Sequence, residues 1–122
     1  MIGREFSVEE ANGLLPSLRH SLVRIRDARH VVLSQGEHLK RTATLNGGGA
    51  EGKELWEALH TLRQEVEQIT GQGIILRDPE TGLVDFPAIR EGQEVFLCWR
   101  LEEDEVGFWH GPGTGFAGRR PL

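Results

Sequence analysis

At 122 residues, 38% of them hydrophobic and 27% charged, the chain is long enough for one modest core and too short for two. No apolar run approaches the ~20 residues of a membrane helix. A net charge of −5 disfavours a duplex nucleic-acid binder, whose affinity comes from a basic surface.

The first element starts at Phe6-Ser7-Val8-Glu9-Glu10. Ser7 can cap a helix, Glu10 three residues on can return the hydrogen bond, and both glutamates suit the positive helix end. Asn12-Gly13 and Pro16 then predict an interruption or kink, because proline lacks a backbone donor and crowds the preceding turn. From Leu15 a heptad runs through Leu15, Leu22, Arg29 and Gly36 at one position and Leu18, Ile25, Val32 and Leu39 at the other. Arg19, Arg24, Arg26 and Arg29 are interleaved with these leucines and read as the solvated side of an amphipathic helix. A glycine-rich loop at 46–49 breaks the pattern. A second helix over about 52–70 carries a stripe of Leu55, Leu59, Leu62, Val66 and Ile69, suited to an antiparallel partner. The first helix is the longer, and its N-terminal half needs another apolar surface to cover it.

Beyond residue 73 the period changes from helical to alternating. Runs at 73–77, 83–86, 94–101 and 106–110 read as four strands of an antiparallel meander, with connections at 78–82, 87–93 and 102–105. Pairing Leu101 with Val106 sets Trp99 opposite Phe108, Cys98 opposite Trp109 and Leu97 opposite His110. Val95, Leu97, Trp99, Phe108 and His110 then face the helices. Pairing Arg77 with Leu83 adds Ile74, Leu76, Val84 and Phe86 to that face. The other face receives Phe96, Cys98, Arg100, Trp109, Ile75, Arg77 and Asp85, an unusual set for a surface open to water. The fold class expected is α+β in one domain: a helical hairpin over about 7–71, a small meander over about 73–110, and a Gly/Arg tail over 111–122.

The mixed face is where a ligand would lie, and Asp85, Arg100, Trp109, His110 and Arg119 are its candidate binding residues. The simpler arrangement has Arg100 over Trp109, paired with Asp85 and supporting the tail. In that tail GTGFAG matches the phosphate-cradling GxGxxG pattern. Only four residues follow Gly118, however, leaving no room for the helix whose N-terminus would hold the phosphates. The glycines instead suit a tail that folds back over the sheet, with Phe116 as an anchor and Arg119 and Arg120 as forks for carboxylates or phosphates.

His20, His30, His38 and His60 lack the spacing of a zinc site. His110 and Cys98 fall on opposite faces in the register above, so neither a metal nor a cofactor is expected. Cys98 shares its face with no histidine and reads as a buried structural thiol. As the one cysteine it excludes an internal disulfide. The acidic start MIGREFSVEE carries no apolar leader segment, so a reducing, cytoplasmic setting is expected.

The stretches FSVEEANGLLPSLR, TGLVDFPAIREGQEVFLCWR, GFWH and GFAGRRPL together resemble the bacterial family catalogued as domain of unknown function 2203. The resemblance spans essentially the whole chain and implies a small standalone protein with no assigned activity, so no catalytic residue follows from it. The function expected from the residues is a non-enzymatic module that self-associates through its helices, since two apolar stripes exceed what one hairpin needs. The alternative is a small-ligand or anion-binding protein, enzyme or not, with its cleft under the tail.

Overall fold

The capping box at Ser7 is formed. The Glu10 amide donates to Ser7 Oγ (3.0 Å) and the Ser7 amide to Glu10 Oε1 (2.8 Å). Together they satisfy two donors that a helix start otherwise leaves open. In this computed structural model the backbone is described for residues 4–42 and 50–122 and the side chains for 4–38 and 52–122. The glycine loop at 46–49 and the side chain of Leu39 lie outside the described residues. Helix α1 covers Val8–Thr42 and α2 covers Ala50–Thr70, about 52 and 32 Å long. They are antiparallel, because Arg24 bonds Glu65 while Gln35, further along α1, bonds Glu54, earlier on α2.

The interruption expected at Asn12, Gly13 and Pro16 is absent, since α1 runs through all three. Buried Ala11, Leu15 and Leu18 hold both sides of Pro16 against the sheet, so packing overrides the local penalty. Asn12 is occupied elsewhere: its Oδ1 accepts the Val106 amide at 2.8 Å.

The sheet has five antiparallel strands in sequential order: β1 (Ile75–Asp78), β2 (Leu83–Arg90), β3 (Gln93–Trp99), β4 (Phe108–His110) and β5 (Arg120–Pro121). The expected meander is there, with three corrections. First, the connection placed at 87–93 is mostly strand, and only Glu91 and Gly92 turn the chain, both with positive φ as a tight two-residue hairpin requires. Pro87 is tolerated because β1 stops opposite Asp85. At Pro87 that side of β2 is free of strand partners, and the Pro87 carbonyl instead accepts the Phe6 amide at 2.8 Å. Second, Leu83 pairs with Asp78 rather than Arg77, which sits at a register shift between Leu76 and Asp78.

Third, the last hairpin is slipped by one residue. Cys98 pairs with Phe108, Leu97 with Trp109 and Phe96 with His110. A one-residue slip moves every side chain of β4 to the other face. The cause is α1. The Arg19 guanidinium donates to the carbonyls of Leu101, Glu103 and Asp104 (3.0, 2.8 and 2.8 Å). With Asn12 on Val106, these bonds hold 101–106 as a helix-bound loop instead of ladder rungs. The tail does fold back. A short 3-10 turn at Phe116–Gly118 leads into β5, which pairs with β4.

The core gathers Leu15, Leu18, Leu22 and Ile25 of α1, Ile69 of α2, and Val84, Phe86, Val95, Leu97 and Trp99 of the sheet, with Leu62 and Val66 packed against it. Core membership on α1 ends at Ile25, so the sheet covers only one end of the hairpin. Among the described residues no helix is long and apolar enough to cross a membrane.

Candidate functional site

On the sheet face turned away from the helices, β2, β3 and β4 each contribute one buried side chain of chemical interest. Asp85 lies directly opposite Cys98, and His110 lies opposite Phe96, so the three share that face. Their exposures are 2%, 0% and 2%. The slipped register creates this grouping: it takes His110 off the helix-facing side, where the sequence reading had placed it, and sets it beside Asp85.

The polar atoms form one network. Arg77 Nε donates to Asp85 Oδ2 at 2.8 Å, and His110 Nε2 lies 3.0 and 3.1 Å from the two Asp85 oxygens. His110 Nδ1 donates to the Gly111 carbonyl at 2.8 Å. That second bond fixes the ring, since a carbonyl can only accept, and aims Nε2 at the carboxylate. Burial, and after it the negative charge of Asp85, pushes the Cys98 thiol up to about 12. Cys98 alone is therefore a protonated thiol at neutral pH, not a nucleophile. A ring nitrogen of His110, the Cys98 Sγ and an Asp85 carboxylate oxygen lie within 4.8 Å of one another.

The other candidate residues go elsewhere. Trp109 is on the helix-facing side, partly packed on the core, with the guanidinium groups of Arg90 and Arg120 4.9 and 5.7 Å from its ring. Arg100 pairs with neither Asp85 nor Trp109; it reaches Glu102 Oε2 at 3.3 Å and lies 4.8 Å over the Phe116 ring. Asp85 already has Arg77, and the β3–β4 loop carries Arg100 away from it. Arg119 donates to Glu103 Oε1 (2.9 Å) and to the Cys98 carbonyl (3.2 Å), and stacks on Phe108 and Phe116. Burial alone would push the Glu103 carboxyl up, but the Arg119 guanidinium and the Arg100 amide together hold it below its ordinary range.

The five expected residues thus divide into a buried pair, Asp85 with His110, a tail clamp built on Arg100 and Arg119, and a solitary Trp109. Sequence reasoning missed Arg77 as the partner of Asp85 and Cys98 as the neighbour of His110. One signal was present: a buried aspartate and a buried histidine each need a polar partner, and only the slipped register gives each the other. Two grooves of about 760 Å³ lie elsewhere, one between the helices around Ser17, His20 and Gln64 and one beside the free side of β2 around Arg4, Pro87 and Glu94. Neither contains the buried cluster.

Against known proteins, the sequence pattern of one family, described as an uncharacterized conserved protein (DUF2203), matches residues 4–122. No curated protein matches the chain significantly, and no solved structure does. With nearly its whole length matched, the chain belongs to the DUF2203 family.

Proposed function

We propose that this protein is a non-enzymatic interaction module whose helical hairpin associates with a second copy of the chain at the end the sheet leaves bare. The observation that supports it is the exposure of Trp56 (64%), Leu33 (55%) and Leu59 (46%) there. Leu33 lies about three turns beyond Leu22, and Leu59 about two turns before Val66. Each therefore continues a stripe that the sheet covers further along the same helix. A pair of helices cannot bury such stripes alone, because each needs a second apolar layer. A two-fold copy supplies it by laying the same patch on itself, making four helices from two.

Light scattering at micromolar concentration tests this. A dimer is expected for the wild type and a monomer of unchanged helicity for Leu59→Glu. A wild type that is monomeric throughout that range removes the reading.

A second reading, small-anion binding at the tail, has one observation in its favour. The Nε atoms of Arg100 and Arg119 are both buried without a hydrogen-bond partner beside Phe116. A panel of phosphate and carboxylate anions should then raise the melting temperature, and Arg100→Ala should abolish the rise. No shift from any of them sinks it.

A further inference from the structure

We propose that Asp85, Cys98 and His110 form a binding site for a divalent transition-metal ion of the zinc class. The case starts from the donors. One carboxylate oxygen, one imidazole nitrogen and one sulfur within 4.8 Å of each other are the ligand types zinc and cobalt take, whereas magnesium and calcium demand six or more oxygens. The three come from adjacent strands of one sheet, β2, β3 and β4, so the backbone ladder fixes their spacing. Arg19 and Asn12 of α1, bonded to the β3–β4 loop, hold the register that brings His110 to this face.

The surroundings are those of a held ligand set. His110 Nδ1 donates to the Gly111 carbonyl, which leaves Nε2, turned toward Asp85, as the nitrogen a metal would take. Arg77 fixes Asp85 through Oδ2 at 2.8 Å. Arg119 holds the backbone of Cys98 at its carbonyl. All three ligands are almost wholly buried, so bulk water does not compete for them. The register is the decisive step, because pairing Leu97 with His110 would put the histidine on the far side of the sheet from Cys98.

On binding, the metal–sulfur bond forms as the S–H bond of Cys98 breaks, and the metal–nitrogen bond forms as His110 Nε2 gives up the proton it shares with Asp85; both protons leave to solvent and no electron is transferred. The two negative charges of Asp85 and the resulting thiolate then neutralise the dication. Among the described residues the cluster holds three such ligands, so the fourth position of a tetrahedral ion is left to water.

Titration of the full-length reduced protein with Co²⁺ tests the site. The expected result is one equivalent bound, with visible bands of a tetrahedral ion and a near-ultraviolet thiolate-to-cobalt band, all erased by Zn²⁺. Because the thiolate band is read on the wild type, it does not depend on any variant folding. Cys98→Ser should lose that band, and Arg77→Ala, which leaves the ligands in place, should weaken binding by about tenfold. Circular dichroism confirms that each variant is folded. A wild type that shows no thiolate band, or a folded Cys98→Ser that keeps it, overturns the proposal.

Discussion

The two ends of the helical hairpin carry the same kind of apolar stripe and meet different fates. Toward the N-terminus of α1, Leu15, Leu18, Leu22 and Ile25 are no more than 4% exposed under a five-stranded sheet. Toward the other end, Leu33, Trp56 and Leu59 are roughly half exposed. On α1 the seam itself weakens, since Arg29 and Gly36 stand at the position Leu15 and Leu22 hold earlier, yet large apolar side chains continue along both helices. The covered end holds the molecule together, and under the proposed self-association the bare end is the surface a second copy would cover.

The sharpest test compares one leucine from each end. Leu22→Ala should cost about 2–5 kcal/mol in urea unfolding, through lost burial and the cavity left behind. Leu33→Ala, measured at a dilution where the chain is monomeric, should stay within about 0.5 kcal/mol. Equal losses would erase the distinction between the two ends.

Next in size is Asp85→Ala. It removes the acceptor shared by Arg77 and His110 within the covered half and should cost about 3 kcal/mol, the usual result of leaving a buried charge or donor alone. A loss as small as that of Leu33→Ala would show that the network contributes nothing to the covered end.

Gly82→Ala probes how tightly the β1–β2 turn closes onto the β3–β4 loop. Gly82 has φ +70°, and a Cβ there would stand 2.7 Å from the Leu101 Cβ. Differential scanning calorimetry should register a loss of about 1–3 kcal/mol.

The smallest expected effect is at the start of α1. Ser7→Ala should cost about 1 kcal/mol by removing the cap. The Ser7 amide and hydroxyl hold the Glu10 carboxyl below its ordinary value of 4.5. The stability this adds is therefore complete above that value and is lost as pH falls through the lowered one. Acid titration of the unfolding midpoint should show that loss in the wild type and a flatter profile in Ser7→Ala.

What the sequence made legible was local. The Ser7–Glu10 box, the two helices, the alternating strands and a tail that returns all follow from residues within a few positions of one another. An interruption at Pro16 and a loop at Pro87 do not form: packing on both sides of Pro16 keeps the helix continuous, and at Pro87 the missing donor has no strand partner to lose. The candidate site was half visible: Asp85 and His110 were named, but their contact and the place of Cys98 hang on a register decided by side chains more than eighty residues away. Alternation alone gives two faces and not which of two adjacent pairings is chosen.

The Arg19 fork on three carbonyls of the β3–β4 loop, with Asn12 on Val106, bears on how the chain reaches its final form. These bonds close loops of more than eighty residues, which are entropically costly to bring together. Before the first helix docks, the third and fourth strands lack the anchors that α1 places on the loop between them. The helix thus acts as a template that arbitrates strand alignment, and the buried aspartate, cysteine and histidine meet only after that choice is made.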